Sequence, residues 1–231
     1  MKKKLIVLTG AGISAESGIR TFRDADGLWE GRDVMEVASY DGWLKNKELV
    51  LDFYNQRRRQ LHEVKPNLGH LVLAELEKDF DVHIITQNVD NLHEQAGSSK
   101  VLHLHGELLK VRSDRNPPLE IVDWNSDLNM GDVDSEGNQL RPHIVWFGEM
   151  VPALEEAVSI TEQADYVVVI GTSLQVYPAA SLMHYAKPGV PVFYIDPRPA
   201  SISNLQNPLE VIPMNATEGV PFLREKLLKR T

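Results

Sequence analysis

The chain alternates short, mainly apolar runs with longer stretches of helical periodicity. The runs are Leu5-Ile6-Val7-Leu8, Val82-His83-Ile84-Ile85-Thr86, Val101-Leu102-His103-Leu104-His105, Tyr166-Val167-Val168-Val169-Ile170 and Val192-Phe193-Tyr194-Ile195. A strand that buries one face alternates apolar and polar residues; a strand apolar throughout buries both, as in a parallel sheet covered by helices on either side. Helices are expected to begin at Pro66-Asn67, Pro152 and Pro178, because proline is tolerated in a first turn. The pattern predicts an α/β fold, a parallel sheet with helices on both faces. The rhythm breaks from Ser113 to Gln139, a segment rich in Asp, Asn, Gly and Pro that reads as a small inserted lobe. We assign one domain over residues 1–231, with a core of about 1–30, 66–110 and 143–231 and lobe segments of about 31–65 and 111–142.

The first strand runs directly into Gly10-Ala11-Gly12-Ile13-Ser14-Ala15-Glu16-Ser17-Gly18-Ile19. A strand, a glycine turn and a helix make a Rossmann-like phosphate site: Gly10 permits the turn, Gly12 has no Cβ against a pyrophosphate, Ala15 lets helix and strand pack closely, and the helix N-terminus attracts the anion. A plain strand-to-helix turn explains both glycines equally well. In a Rossmann dehydrogenase a second strand ends in an acidic residue roughly 20 positions on. Here a polar and aromatic loop, Thr21 to Trp29, takes its place, and Phe22 and Arg23 are expected to work as parts of a lid.

Other polar residues sit where strands end, the edge at which open α/β sheets hold ligands. Gln87, Asn88 and Asp90 follow one strand; a helix N-cap accounts for one of them, not for three. His105 closes the next strand and is suited to general base catalysis. A metal pair with His103 is the alternative, with no third ligand at a recognisable spacing, and no metal is expected. Gly171-Thr172-Ser173 and Asp196 end two further strands, and a carboxylate at Asp196 would accept ribose hydroxyls and favour NAD over NADP. On the helix over 47–64, Val50, Phe53, Tyr54, Arg57 and Leu61 share a face at 100° per residue, while Arg58 and Arg59 turn away to solvent. Arg57 within an apolar stripe needs a partner or must snorkel.

Taken together, Gly10-Ala11-Gly12-Ile13-Ser14, Ser17-Gly18-Ile19, Phe22-Arg23, Thr86-Gln87-Asn88-Val89-Asp90-Asn91-Leu92-His93, Leu104-His105-Gly106, Val145-Trp146-Phe147-Gly148-Glu149 and Gly171-Thr172-Ser173 resemble the sirtuins, NAD-dependent protein-lysine deacylases. The resemblance spans nearly the whole chain in order. It implies NAD as cofactor and acylated lysine side chains of proteins as substrates, with nicotinamide and O-acyl-ADP-ribose as products. It further implies that Gln87 contacts the nicotinamide ribose, Asn88 orients the reacting groups, Asp90 holds the carboxamide and His105 deprotonates a ribose hydroxyl. Gly10, Ala11, Gly12, Ala15, Phe22, Arg23, Gly171, Thr172, Ser173, Asp196 and Ala216 complete the cofactor contacts. Arg141 to Glu149 resembles the family's substrate strand, with Val145, Phe147, Gly148 and Glu149 beside an extended peptide; a core strand burying Trp146 and Phe147 is compatible with this. Tyr54-x-x-Arg57 resembles the class III motif that binds the carboxylate of succinyl- or malonyl-lysine. Sirtuins usually carry four zinc-binding cysteines in the small lobe; this chain has none, and Ser113 stands where the first is expected. The lobe must then be held by hydrogen bonds and by packing of Trp124, Leu128 and Met130.

Composition narrows the picture further. A formal charge of −9 disfavours nucleic acid and suits a lysine-bearing partner. The apolar run behind Met1-Lys2-Lys3-Lys4 is too short for a signal peptide, and no run reaches a membrane span, so the expected location is cytoplasmic. The oligomeric state is left open, a monomer being compatible with the chain. The reading is a desuccinylase or demalonylase with some deacetylase activity; the alternatives are a general deacetylase or a protein ADP-ribosyltransferase. An oxidoreductase is a further rival, which would change nicotinamide absorbance and release no nicotinamide; a non-catalytic NAD-binding module fits less well with His105, Asn88 and Asp90 in place.

Overall fold

A computed structural model describes residues 2–20, 28–29, 32–115 and 120–230. In chain order its elements are β1 (Lys4–Thr9), β2 (Leu28–Trp29), β3 (Arg32–Asp33), α1 (Val34–Val37), α2 (Tyr40–Lys45), α3 (Lys47–Glu63), α4 (Leu68–Leu76), β4 (Asp81–Thr86), α5 (Leu92–Gln95), β5 (Val101–His103) and β6 (Gly106–Ser113). There follow β7 (Ile121–Asp123), β8 (Leu140–Ile144), α6 (Leu154–Thr161), β9 (Tyr166–Ile170), β10 (Val192–Ile195), β11 (Leu209–Ile212) and α7 (Ala216–Leu228). Six strands form one parallel sheet in the order β11-β10-β9-β1-β4-β5. The apolar runs of the inner strands β1, β4, β9 and β10 are largely buried on both faces, as their composition requires, while the edge strands β5 and β11 are only partly covered. Leu5, Val7, Ile84, Val168 and Phe193 pack beneath α4 and α7, while Ile6, Leu8, Ile85, Val167, Val169 and Tyr194 pack on the side of α6 and a 3-10 segment, Ala179–Tyr185.

Register fixes where chemistry can sit. Thr9 lies opposite Thr86 on one side and Ile170 on the other, and Ile170 opposite Ile195, so β1, β4, β9 and β10 end along a common edge. The chain leaves β1 to form β4 on one flank and later returns to form β9 on the other. That switch point opens a crevice beyond the strand ends.

Against this edge stands the small lobe, made of α1–α3 and the antiparallel sheet β7-β6-β8 around Trp43, Val50, Tyr54, Leu108, Val111, Leu128, Ile144 and Trp146. Three expectations are corrected here. Arg58 does not turn to solvent: it is 1% exposed, donating from Nη1 to Asn55 Oδ1 at 2.7 Å and from Nε to the Leu108 carbonyl at 3.3 Å. Helix α3 is enclosed on more than one side, so its buried arc is wider than the apolar stripe, and burial pulls the Arg58 pKa down to about 10. Met130 is 49% exposed and contributes little to the lobe core, whereas Leu128 is fully buried. No continuous helix follows β1; two 3-10 turns, Ala11–Ile13 and Ala15–Ser17, are closed off by Gly18 at φ +99°.

Candidate active site

A cavity of about 450 Å³ occupies the crevice between the strand ends and the small lobe. One wall is the pair of glycine loops: Gly10, Ala11, Gly12, Ala15, Gly171, Thr172 and Ser173 all line it. The two loops cross in near contact. A Cβ on Gly12 would lie 2.6 Å from Gly171 Cα, and the Gly12 N–H donates to the Gly171 carbonyl at 2.8 Å. The primary reason for glycine at position 12 is therefore backbone against backbone, and its N–H is already engaged. Ala15 faces the cavity instead of packing helix to strand. At the far end of the cavity stand Asp196, whose Oδ1 accepts from the Arg198 N–H at 2.8 Å, Arg198 itself and Asn215. Ala216 is not there: as the first residue of α7 it is buried in the core, and its neighbour Asn215 reaches the cavity. Neither Arg198 nor Asn215 carried a sequence signal beyond following a strand end.

The central wall is polar. Gln87, Asn88, Asp90 and His105 all line the cavity. The strand β5 ends at His103, so His105 projects from the link into β6. Its Nδ1 lies 3.1 Å from the Gln87 carbonyl. A carbonyl only accepts, so the neutral ring carries its proton on Nδ1 and presents the Nε2 lone pair. Burial holds the His105 pKa below its usual value, keeping that lone pair available at neutral pH. His103 does not line the cavity; it binds Glu94 Oε1 at 2.8 Å and the Asn88 carbonyl at 3.0 Å. Among the described residues no group of three or more His, Cys, Asp or Glu is placed to hold a metal ion.

Asp90 does two jobs at once. Its Oδ1 accepts from the Leu92 N–H at 3.1 Å, the helix-terminus role weighed from sequence, and its Oδ2 accepts from Ser14 Oγ at 3.0 Å. Burial raises its pKa, against the pull of those two donors. Ser14 also accepts from Asn88 Nδ2 at 3.2 Å. It is fully buried, and sequence reading passed over it because a serine within a glycine turn looks like a turn former.

The lobe supplies the third wall. Tyr54 and Arg57 line the same cavity from α3. The Arg57 guanidinium lies 4.8 Å from the Phe53 ring centroid, and Tyr54 Oη accepts from Trp146 Nε1 at 2.9 Å. Burial pushes the Tyr54 hydroxyl pKa well up, so it remains protonated. Val145, Phe147, Gly148 and Glu149 also line the cavity, but most of this segment's hydrogen-bonding capacity is used inside the protein. The Val145 N–H donates to the His105 carbonyl and the Phe147 N–H to the Ala38 carbonyl, each at 2.9 Å. Glu149 is clamped by Arg141 at 2.8 Å from two nitrogens and by Arg112 at 3.2 Å, while Arg141 stacks 3.5 Å over the Trp146 ring. Phe22 and Arg23, the expected lid residues, lie outside the described residues.

NAD fits this donor set. Close-packed glycine loops at a switch point leave room for a pyrophosphate, a buried carboxylate at Asp196 suits ribose hydroxyls, and His105 offers a base at the opposite end. Comparison with known proteins agrees. The Sir2 family model matches residues 10–178. The NAD-dependent protein deacylase of Helicobacter pylori is 59% identical over 227 residues, covering 98% of each chain. A Sir2 homologue solved as its NAD complex has a TM-score of 0.84 at 37% identity, over 99% of this chain and 91% of that one. A Sir2 protein bound to an acetylated peptide has a TM-score of 0.79 at 29% identity, over 97% and 93%. The fold is that of the Sir2 proteins, and the curated relatives it matches are NAD-dependent protein deacylases. The chain belongs to the Sir2 family: NAD is its cosubstrate and acylated proteins are its substrates.

Proposed function

We propose that this deacylase prefers acidic acyl groups, succinyl or malonyl, on lysine, with deacetylation as a secondary activity. The observation that carries this reading is Tyr54 and Arg57, about one helical turn apart on α3, in the wall of the cavity that also contains His105, Asn88 and Asp90. An acyl carboxylate arriving there meets a guanidinium fork suited to bidentate pairing. The hydroxyl of Tyr54, kept protonated by burial and fixed by Trp146, stands beside it. Acetyl-lysine offers no charge to pair.

When bound, NAD supplies the ribosyl carbon that receives the acyl group as nicotinamide leaves. In this reading the glycine loops and Asp196 hold its pyrophosphate and adenosine half. Gln87, Asn88 and Asp90 hold the nicotinamide ribose, and His105 Nε2 takes a proton from a ribose hydroxyl. Val145, Phe147, Gly148 and Glu149 flank the acyl-lysine. The residues contributed by the chain thus bind, orient and move one proton; one water is consumed, and the products are nicotinamide, O-acyl-ADP-ribose and free lysine.

Matched acetyl-, malonyl- and succinyl-lysine peptides with NAD, followed by nicotinamide and deacylated peptide, test the reading. Native protein should show higher kcat/KM on the succinyl peptide. Arg57→Met should lower succinyl turnover by about 2–4 kcal/mol of transition-state stabilisation, roughly 30- to 900-fold, and acetyl turnover only a few-fold. Equal losses on both peptides would make Arg57 a structural residue and return the protein to a general deacetylase.

A further inference from the structure

Two loops meet at the far end of the cavity, one leaving β9 and the other leaving β10. Gly171, Thr172 and Ser173 of the first and Asp196, Pro197 and Arg198 of the second all line it. The first loop is conformationally demanding. Gly171 at φ +60° and Leu174 at φ +57° are both left-handed, and a leucine stays in that region only when its surroundings impose it. Part of the constraint comes from the Thr172 side chain, whose Oγ1 accepts from the Leu174 N–H at 3.2 Å and from Gln87 Nε2 at 3.3 Å. The rest comes from a residue outside the cavity.

Tyr194 sits within β10, fully buried among Ile6, Leu8, Val167 and Val169, and does not line the cavity. Its strand neighbours Val192, Phe193 and Ile195 are apolar, and for packing alone a phenylalanine would serve. A buried phenol must find partners for its proton and its lone pairs. Tyr194 Oη donates to the Thr172 carbonyl at 2.8 Å and accepts from the Ala200 N–H at 3.1 Å. A single oxygen thus joins the loop after β9 to the loop after β10. The consequence for the first loop follows from peptide planarity. In a trans peptide the C=O and the next N–H are antiparallel, so a Thr172 carbonyl drawn to Tyr194 turns the Ser173 N–H away from the core. In the second loop the Ala200 bond closes the segment back onto the strand it left, with Asp196 Oδ1 accepting from the Arg198 N–H inside it.

We propose that Tyr194 is a positioning residue for NAD: its hydroxyl holds the Thr172–Ser173 peptide and the loop from Asp196 to Ala200 in the mutual arrangement that receives the adenosine half. The proposal rests on the reading above in which these loops hold that half. Tyr194 lies in none of the motifs that carry the family resemblance and reads in the sequence as one more strand residue. His105 stands at the opposite end of the cavity, so the hydroxyl acts on cosubstrate binding and leaves the chemical step alone.

Tyr194→Phe keeps the ring and deletes the oxygen. Native and variant protein are assayed for kcat and for KM toward NAD and toward acetyl and succinyl peptides. The affinity for ADP-ribose is measured by calorimetry, and thermal midpoints are recorded. With both hydrogen bonds gone, KM for NAD and Kd for ADP-ribose should rise together by at least about fivefold. At saturating NAD, kcat and the peptide KM values should stay within about twofold of native. A merely structural tyrosine would lower the thermal midpoint and leave both nucleotide constants below that fivefold rise; this result, or a loss carried by kcat, overturns the proposal. Amide exchange followed by NMR keeps it testable if Tyr194→Phe does not fold. In native protein without ligand the Ala200 amide should exchange slowly, and rapid exchange there would mean that the loops are not joined. Asp196→Ala is measured in parallel. Native ADP-ribose affinity in Asp196→Ala would remove the reading of the adenosine end and the proposal with it. Weakened binding in Asp196→Ala beside native binding in Tyr194→Phe would overturn the proposal alone.

Discussion

At the scale of single residues, the two histidines two positions apart show how environment divides the roles. His103 is tied to Glu94 and raised in pKa by it, while His105 is lowered by burial and faces the cavity. His105→Ala should reduce deacylation by at least about 10²-fold, the scale expected for loss of a positioned base, with NAD affinity measured by titration changed only a few-fold. Near-native turnover would remove the base assignment. The neighbours Arg57 and Arg58 divide as clearly, but in a way the chain did not reveal. A helical projection separates them by angle, yet whether the second angle meets solvent or another element depends on what packs there. For Arg58 it meets the Leu108 carbonyl and Asn55.

Among the elements, the small lobe has to cohere without thiolate ligands, and α3 provides the clamp. Asn55 Nδ2 donates to the Leu128 carbonyl at 2.9 Å, its Oδ1 accepts the Leu128 N–H at 2.8 Å, and the same oxygen receives Arg58. Farther along the insert, Asp134 Oδ1 accepts from the Glu136 and Asn138 N–H groups, each at 2.9 Å, closing a tight turn. Asn55→Ala would leave a buried N–H, a buried carbonyl and part of a buried guanidinium unpartnered. Each such loss costs about 1–3 kcal/mol, so destabilisation of about 3 kcal/mol or more is expected in urea unfolding. A change below about 1 kcal/mol would mean the clamp is dispensable. The same reasoning explains why the insert was legible only in outline: its Asp, Asn and Gly content announced turns, but nothing in the chain paired Asn55 with Leu128, 73 residues away.

For the molecule as a whole, buried neutral histidines set a direction for stability against pH. His70 titrates near 6.5 when unfolded and near 4 when folded. Above pH 6.5 neither state is protonated at this residue and its neutral form carries no penalty. As pH falls through 6.5 the unfolded chain takes the proton first, and stability is lost down to about pH 4. From pH 7.5 to 5 this amounts to about 2 kcal/mol for His70, and His93 and His143, also lowered by burial, act with the same sign. His103, raised by Glu94, acts oppositely and above pH 6.5. Urea midpoints should therefore fall on acidification from pH 7.5 to 5, and less so in His70→Gln; an unchanged slope in that variant would contradict the buried neutral ring.

The strands, their parallel arrangement and the polar residues at their ends were written in the sequence, because burial on both faces and a strand-end ligand edge impose local patterns that a chain must carry in its own order. The resemblance of those motifs named the family. Tertiary structure alone decided the rest. Gly12 answers to Gly171, which lies 159 residues on, Arg58 is buried by a strand it cannot see in sequence, Ala216 belongs to the core while Asn215 meets the cavity, and Ser14 becomes a junction between α4 and the strand ends. Each of these depends on which distant backbone comes to rest against the residue, and close packing makes that neighbour, more than the residue's own class, determine what the side chain does.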